Sequence, residues 1–340
     1  MKTTRLPALP KVHTLFLLLL TFALLVPCPL SARNDRSRIK NFQHVFIIMM
    51  ENTGFDALIG NPNAPFINAT ASKHGLATNY FGVTHPSQPN YIAATSGSTN
   101  GVADDNDTTI DVANIVDQLD TAGKTWKAYM QSYSLCATPL DHACGNQLYE
   151  RKHNPFISYQ DVQSDPARVA NIVDFSQFAT DLASGHVADY VWISPDQCND
   201  MHGRASTPDD PCDFSQVPAL IAAGDSFLKN TVRAIMHSKA WTGNSVIFIA
   251  WDESDFTGSG FNGFGDDSGC CDSVPGEGGG HVVAITIAHA DDAHHRSSNV
   301  PYNHQSMLAT IEDGWHLGCL AFTCDTVNVP PMSDLVGPDK

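Results

Sequence analysis

The sequence predicts an α/β protein, a three-layer α/β/α sandwich built on a mostly parallel central sheet. Two observations carry that reading. First, five short segments are almost continuously apolar or β-branched, where a half-exposed strand would alternate: 44–50 (HVFIIMM), 125–130, 189–194 (DYVWIS), 245–251 (SVIFIAW) and 281–288 (HVVAITIA). Strands of that kind are buried on both faces, as in a parallel sheet covered by two helical layers. Second, segments with helical spacing alternate with them, at 112–122, 174–184, 217–237 and 304–315. Strand–helix alternation over this length is the pattern of an α/β sandwich. With 340 residues and 42% hydrophobic content, the chain can bury a full core.

From the N-terminus, Lys2, Arg5 and Lys11 precede the apolar run 15–26, and Pro27, Pro29, Ser31 and Ala32 follow it. This is the layout of an export signal, with cleavage expected after Ala32, and the run is short for a membrane span. Cys28 fits a lipoprotein site poorly because proline precedes it. The mature chain, residues 33–340, is expected to form a single domain, secreted to an extracellular or periplasmic space, with no stable membrane anchor. After the first strand comes a helix at 87–97, with Ser87 expected at its N-cap, Pro89 in its first turn and Gly97 at its end. The Gly-rich stretch 257–280 is expected as a surface loop and possible lid.

Charge excludes one class of partner. The chain has 36 acidic and 19 basic residues, net −17. Losing residues 1–32 removes three basic and no acidic residues, leaving 16 against 36. Nucleic-acid binding calls for clustered Lys and Arg and is not expected. Eight cysteines remain after cleavage, an even number that favours disulfides in an exported chain. Cys136–Cys144 and Cys319–Cys324 are the easiest local pairs, and the adjacent Cys270 and Cys271 are expected to take different partners. Zinc binding competes, but no C-x-x-C is present.

In open parallel sheets, ligands bind beyond the carboxyl ends of the strands. Glu51-Asn52 follows the first strand and Asp252-Glu253 follows the strand 245–251; Asp196, Asp200 and His202 follow 189–194, and His281 opens the last strand. Each acidic pair alone reads equally well as a solvated strand end. Two such pairs make a hard-oxygen site for Mg²⁺, Ca²⁺ or Mn²⁺, with Zn²⁺ allowed by the nearby histidines. A serine at a helix N-terminus, Ser87, could attack phosphorus there, with Asn90 donating to phosphate oxygens. A bound divalent metal would activate it. His85, His202 and His281 lie in turns and are candidates for phosphate binding or leaving-group protonation; His304 is explained by helix-start polarity.

Other motifs are set aside. Gly224-Asp225-Ser226-Phe227 has an esterase-like spelling, with Asp313 and His316 spaced to match, but lies inside a helical pattern late in the chain. Acidic 104–111 (DDNDTTID) lacks the glycine and glutamate of a calcium loop. The Gly-rich stretch is no P-loop. Asn68 and Asn106 head glycosylation sequons.

On the stretches 44–60, 85–97, 194–203, 248–253, 278–282 and 302–315, the chain resembles the phosphoesterase family of acid phosphatases and non-haemolytic phospholipases C, within the alkaline-phosphatase superfamily. The E-N-x-x-F, S-x-P-N and W-D-E pieces make the resemblance specific. It implies an alkaline-phosphatase-like sandwich and metal-dependent hydrolysis of a small phosphate ester through a phospho-enzyme. By the same resemblance, Glu51, Asn52, Asp252 and Glu253 would bind metal, Ser87 would be the nucleophile, and Asn90 with the histidines around His202 and His281 would hold phosphate. The phospholipase members are longer and commonly carry threonine at the nucleophile position, which favours the phosphatase branch. Where the family has Asp-His near its late histidine, this chain has Gly280-His281. A phospholipase C or phosphodiesterase is the alternative enzyme, and a non-catalytic exported metal-binding protein the alternative of another class.

Overall fold

The computed structural model describes residues 39, 41–255, 265–271, 277–289 and 295–337. The expected signal segment lies outside them, as does much of the 257–280 loop. Seven strands carry the sheet: β1 Val45–Met50, β2 Gly75–Phe81, β3 Trp126–Met130, β4 Ile172–Asp174, β5 Tyr190–Ser194, β6 Val246–Trp251 and β7 His281–Ala288. Two-residue strands Ser297–Ser298 and Tyr302–Asn303 both pair with β2. The spatial order across the sheet is β2-β7-β6-β1-β5-β3-β4. All five strands expected from apolar runs are present, and every residue of β1, β5 and β6 is buried.

The pairings β6–β1–β5–β3–β4 are parallel, whereas β7 is antiparallel to both neighbours. That reversal matters for the site. It brings the beginning of β7, His281, to the same edge as the ends of the parallel strands, with His281 opposite Phe81.

The main helices are α1 Pro65–Lys73, α2 Ser87–Ser96, α3 Ile115–Thr121, α4 Phe178–Ser184, α5 Val217–Met236 and α6 His304–Trp315. Side-chain alternation shows that they form two layers. On β3 and β5, Trp126 and Tyr190 are register partners and share a face. On that face Trp192 meets Tyr91 of α2, and Tyr190 meets Trp315 of α6. Tyr129 points the other way, onto Phe178 of α4, and Phe175 continues to Phe227 of α5. The sheet is therefore sandwiched, as its doubly buried strands require.

Local chemistry explains several boundaries. Asn114 and Asn303 cap α3 and α6 by accepting the N–H of Val116 and Ser306. Gly97 ends α2 with φ 76°, a left-handed conformation that suits glycine. The esterase-like Asp225 is buried within α5 and accepts the backbone N–H groups of Phe66 at 3.2 Å and Ile67 at 2.8 Å, capping α1. Its role is structural. The 104–111 run is also structural in part: Asp105 accepts the N–H of Gln88 at 2.9 Å, supplying α2 with a cap from outside the helix.

Four disulfides are present among the described residues: Cys136–Cys144, Cys198–Cys212, Cys270–Cys271 and Cys319–Cys324. The two easy local pairs are as expected. Cys270 and Cys271 are a correction, since they join each other; among the described residues the six other cysteines close their own loops. Among the described residues, no helix is long and apolar enough to cross a membrane.

Candidate active site

The site forms where β1 and β6 end side by side. Their register pairs Met50 with Trp251, so Glu51-Asn52 and Asp252-Glu253 leave the sheet together. Asn52 turns the chain there with φ 45°, and its N–H reaches Asp252 Oδ1 at 3.1 Å. The acidic pairs are anchored from behind. Glu51 N donates to Asp200 O at 2.9 Å, and buried His304 donates through Nε2 to Asp252 O at 2.6 Å while its Nδ1 takes the Tyr80 hydroxyl at 3.0 Å. Burial lowers the His304 pKa to about 4, consistent with a neutral ring in that role. Helix-start polarity, which explains His304 from the sequence, does not anticipate this contact.

Ser87 lies above the acids. It is the first residue of α2, and Pro86 holds the N-cap position expected for the serine. The shift has a physical consequence: the hydroxyl caps nothing and is free to point at the strand ends. Ser87 Oγ is 3.0 Å from Glu51 Oε2 and 2.9 Å from Glu253 Oε1. Gly82 lets the end of β2 pack against the strand end at Asp252, because a Cβ there would lie 2.7 Å from Asp252 O and 2.8 Å from Gly279 O.

The residues fit a cation. Glu51, Asp252 and Glu253 each present an oxygen within 4.8 Å of the others, all buried. Glu51 Oε1, Asn52 Oδ1 and Asp252 Oδ2 are buried without a hydrogen-bond partner, which is costly in a protein interior unless a positive ion meets them. Burial, then the charges of Glu51 and Glu253, pushes Asp252 far above the usual carboxylate range. Burial raises Glu253 to about 7, against the pull of His85 and with repulsion from Glu51 adding to it. Three carboxyls this close resist ionising together unless a cation compensates them. The donors are hard oxygens, suited to a divalent ion.

The histidines separate into distinct roles. His85 Nδ1 is bonded to Glu253 Oε2 and its Nε2 is 3.0 Å from Asp266 O, so this ring orients a carboxylate. His202 donates through Nδ1 to Gly203 O at 2.7 Å and lines a cavity with Glu150, Lys152 and Gln197. His281 does not face the serine. Its ring stacks on Phe55 at 4.4 Å and its Nε2 reaches Thr78 O at 3.1 Å, which fixes it on the β2 side of the edge. Asn90 is also reassigned. It is fully buried, its Oδ1 accepts the N–H of Val83 and Thr84, and its Nδ2 donates to Thr84 O and Pro86 O. Both donors and the acceptor are occupied by the 83–86 loop, leaving nothing for phosphate.

One residue was not anticipated. His153 stacks on Tyr91 at 5.3 Å, with Nε2 3.1 Å from Glu51 Oε1 at an ion-pair separation without hydrogen-bond alignment, and Nδ1 3.6 Å from Asp200 Oδ2. The one sequence signal was the Arg151-Lys152-His153 run, a basic patch in an acidic chain. Lys152 Nζ is 2.9 Å from Asp105 Oδ2, which ties this patch to the start of α2.

The model of the phosphoesterase family matches residues 61–318. A probable acid phosphatase of Kluyveromyces lactis is 29% identical over 82% of this chain and 60% of its own length. A phosphatidylinositol-3-phosphatase of Mycobacterium tuberculosis is 26% identical over 88% of this chain and 85% of its own. The chain thus spans about 60% of the first of these relatives. Among solved structures, an alkaline phosphatase superfamily protein from Vibrio parahaemolyticus superposes with a TM-score of 0.53 at 13% identity, covering 89% of this chain and 71% of that one. A phosphonate monoester hydrolase from Silicibacter pomeroyi gives 0.55 at 13% identity, covering 88% and 77%. At such identities the likeness is one of fold, and it agrees with the sandwich described above.

Proposed function

The chain belongs to the phosphoesterase family, and from that premise we propose that it is a secreted, divalent-metal-dependent phosphate monoester hydrolase of acid-phosphatase type, its residues 33–340 forming one phosphoesterase domain. The observation that carries this reading is the Ser87 hydroxyl held between Glu51 Oε2 and Glu253 Oε1 at the rim of a buried carboxylate cluster. An alcohol is a weak nucleophile unless a base or a lowered pKa activates it. Here two carboxylates stand ready to take its proton.

A divalent ion held by Glu51, Asn52, Asp252 and Glu253 would stabilise the alkoxide and offset phosphate charge. Ser87 Oγ attacks phosphorus in line, passing its proton to the carboxylate it touches, and the ester oxygen departs on the opposite side as its bond to phosphorus breaks. His85 keeps Glu253 oriented during that transfer. His202 is assigned the proton delivered to the departing oxygen. In the protein alone, burial and then Lys152 lower this ring to about 4; the negative charge of a bound phosphate acts in the opposite direction. Water then hydrolyses the phosphoserine and restores Ser87. Asn90 and His281 are positioning residues in this scheme, the first for the 83–86 loop and the second for the β2–β7 edge.

The test compares p-nitrophenyl phosphate with p-nitrophenylphosphorylcholine across pH 4–9, with and without chelator, beside Ser87→Ala. Monoester turnover that chelator abolishes and Ser87→Ala reduces by about 10³-fold or more supports the reading. An undiminished rate in Ser87→Ala overturns the mechanism. Preference for the choline diester assigns the site to a phosphodiesterase.

A further inference from the structure

A cavity of about 220 Å³ adjoins the nucleophile helix and plays no part in the chemistry above except through His202. Its wall is coupled to the reaction centre at two points. Asp105 accepts the N–H of Gln88, next to Ser87, at 2.9 Å. The His202 ring lies 6.0 Å from that of His153, whose Nε2 is 3.1 Å from Glu51.

The lining carries unmet hydrogen-bonding capacity. Gln197 is only 4% exposed, yet its Oε1 has no partner. Glu150 is 8% exposed, and among the described residues its carboxylate has neither a hydrogen bond nor an ion pair. Burial raises its pKa, so hydroxyl donors would relieve a desolvated acceptor. The two cations in the wall, Lys152 and Arg204, are already paired, with Asp105 at 2.9 Å and with Asp210 at 2.8 Å. Phe214 is 49% exposed and stands edge-on to His202 with ring centroids 5.4 Å apart, offering an apolar face at the rim.

We propose that this cavity receives the leaving group and selects a neutral, hydroxyl-rich six-membered ring, that of a sugar or polyol monophosphate. One buried acceptor, Gln197 Oε1, and the cavity-facing carboxylate of Glu150 match ring hydroxyls, and Phe214 matches the less polar ring face. The volume is below the roughly 300–1,000 Å³ of sites for drug-sized ligands and suits a single ring. The Glu150 carboxylate repels a second phosphate, and Lys152 and Arg204, each already paired, offer it little attraction. Hydrolysis then releases the ring as its free alcohol. The inference rests on the phosphoesterase reading given above.

The experiment measures kcat/KM for glucose 6-phosphate, for cyclohexylmethyl phosphate (the same ring size without hydroxyls) and for glucose 1,6-bisphosphate. The native protein is expected to favour the sugar monophosphate over the bare ring by about tenfold or more, because a site built for hydroxyls penalises their absence. Gln197→Leu and Glu150→Gln should each reduce that preference by about five- to tenfold, and Glu150→Gln should also raise the relative rate on the bisphosphate. Equal use of both rings by the native protein overturns the proposal, as does a variant that slows both alike. If no phosphate ester is turned over, the catalytic reading fails on its own. Calorimetric titration of glucose 6-phosphate and cyclohexylmethyl phosphate then reads the cavity directly. Preferential sugar binding that Gln197→Leu removes sustains the subsite; equal binding, or none, overturns it.

Discussion

Asn90 offers the sharpest separation between two roles that the same residue could play. Replacing it with aspartate keeps the acceptor for the N–H groups of Val83 and Thr84 but removes both donors, which reach Thr84 O at 2.6 Å and Pro86 O at 3.1 Å. Two lost hydrogen bonds cost about 1 kcal/mol each, and leaving two buried carbonyls facing a carboxylate adds about 1–3 kcal/mol. Asn90→Asp should therefore destabilise the fold by about 3–5 kcal/mol. Urea unfolding followed by fluorescence of buried Trp192, which lies near α2 through Tyr91, reads this as a lower midpoint. Activity should fall with it, since the 83–86 loop carries His85 and leads into Ser87. A phosphate-binding asparagine behaves differently: kcat/KM would drop by about 10²–10³-fold with the unfolding midpoint unmoved. That second outcome would refute the loop-clamp argument.

Two further outcomes follow from the same structure. Chelation should lower the melting temperature by about 5–10 °C, from roughly 2.7 kcal/mol for an ion at a hundredfold its Kd and about 2–4 °C per kcal/mol for a domain near this size; Asp252→Asn should lower metal content by elemental analysis and shrink that shift. Asp225→Ala should cost about 1–3 kcal/mol through loss of the α1 cap, while turnover stays within about twofold, and a collapse of activity in the folded variant would return the esterase-like motif to consideration.

The interior of the sheet was legible because its strands carry one unmixed signal. Val45–Met50 and Val246–Trp251 are apolar throughout, and Tyr190–Ser194 is so up to its last residue; their acidic successors stand at sequence positions the sheet turns into one edge. β2 was missed for the opposite reason: Gly75-Leu-Ala-Thr-Asn-Tyr-Phe81 is only partly buried and shifts register against β7 between Ala77 and Tyr80. The direction of β7 has no signature in its own residues, since a doubly buried strand reads alike in either orientation. His153 sits in a three-residue 3₁₀ turn, Arg151–His153, too short for periodicity to show, and its partners Glu51 and Asp200 come from distant segments. Ser87 was placed one position early because a serine before a proline-bearing first turn satisfies the rules for a cap as well as for a first helical residue. Only the acids beneath it distinguish the two.

The span between the partners of Ser87 has a consequence for how the protein matures. Glu51 stands 36 positions before the serine and Glu253 stands 166 positions after it, while Asn52 and Asp252 are 200 apart. During synthesis the serine emerges early and stays without half of its carboxylate surroundings until β6 has been made and has docked beside β1. Contacts of such long range form late in folding. Any amino-terminal fragment that stops short of Asp252 holds the nucleophile in an incomplete setting, so hydrolytic competence arrives only when the chain is nearly finished.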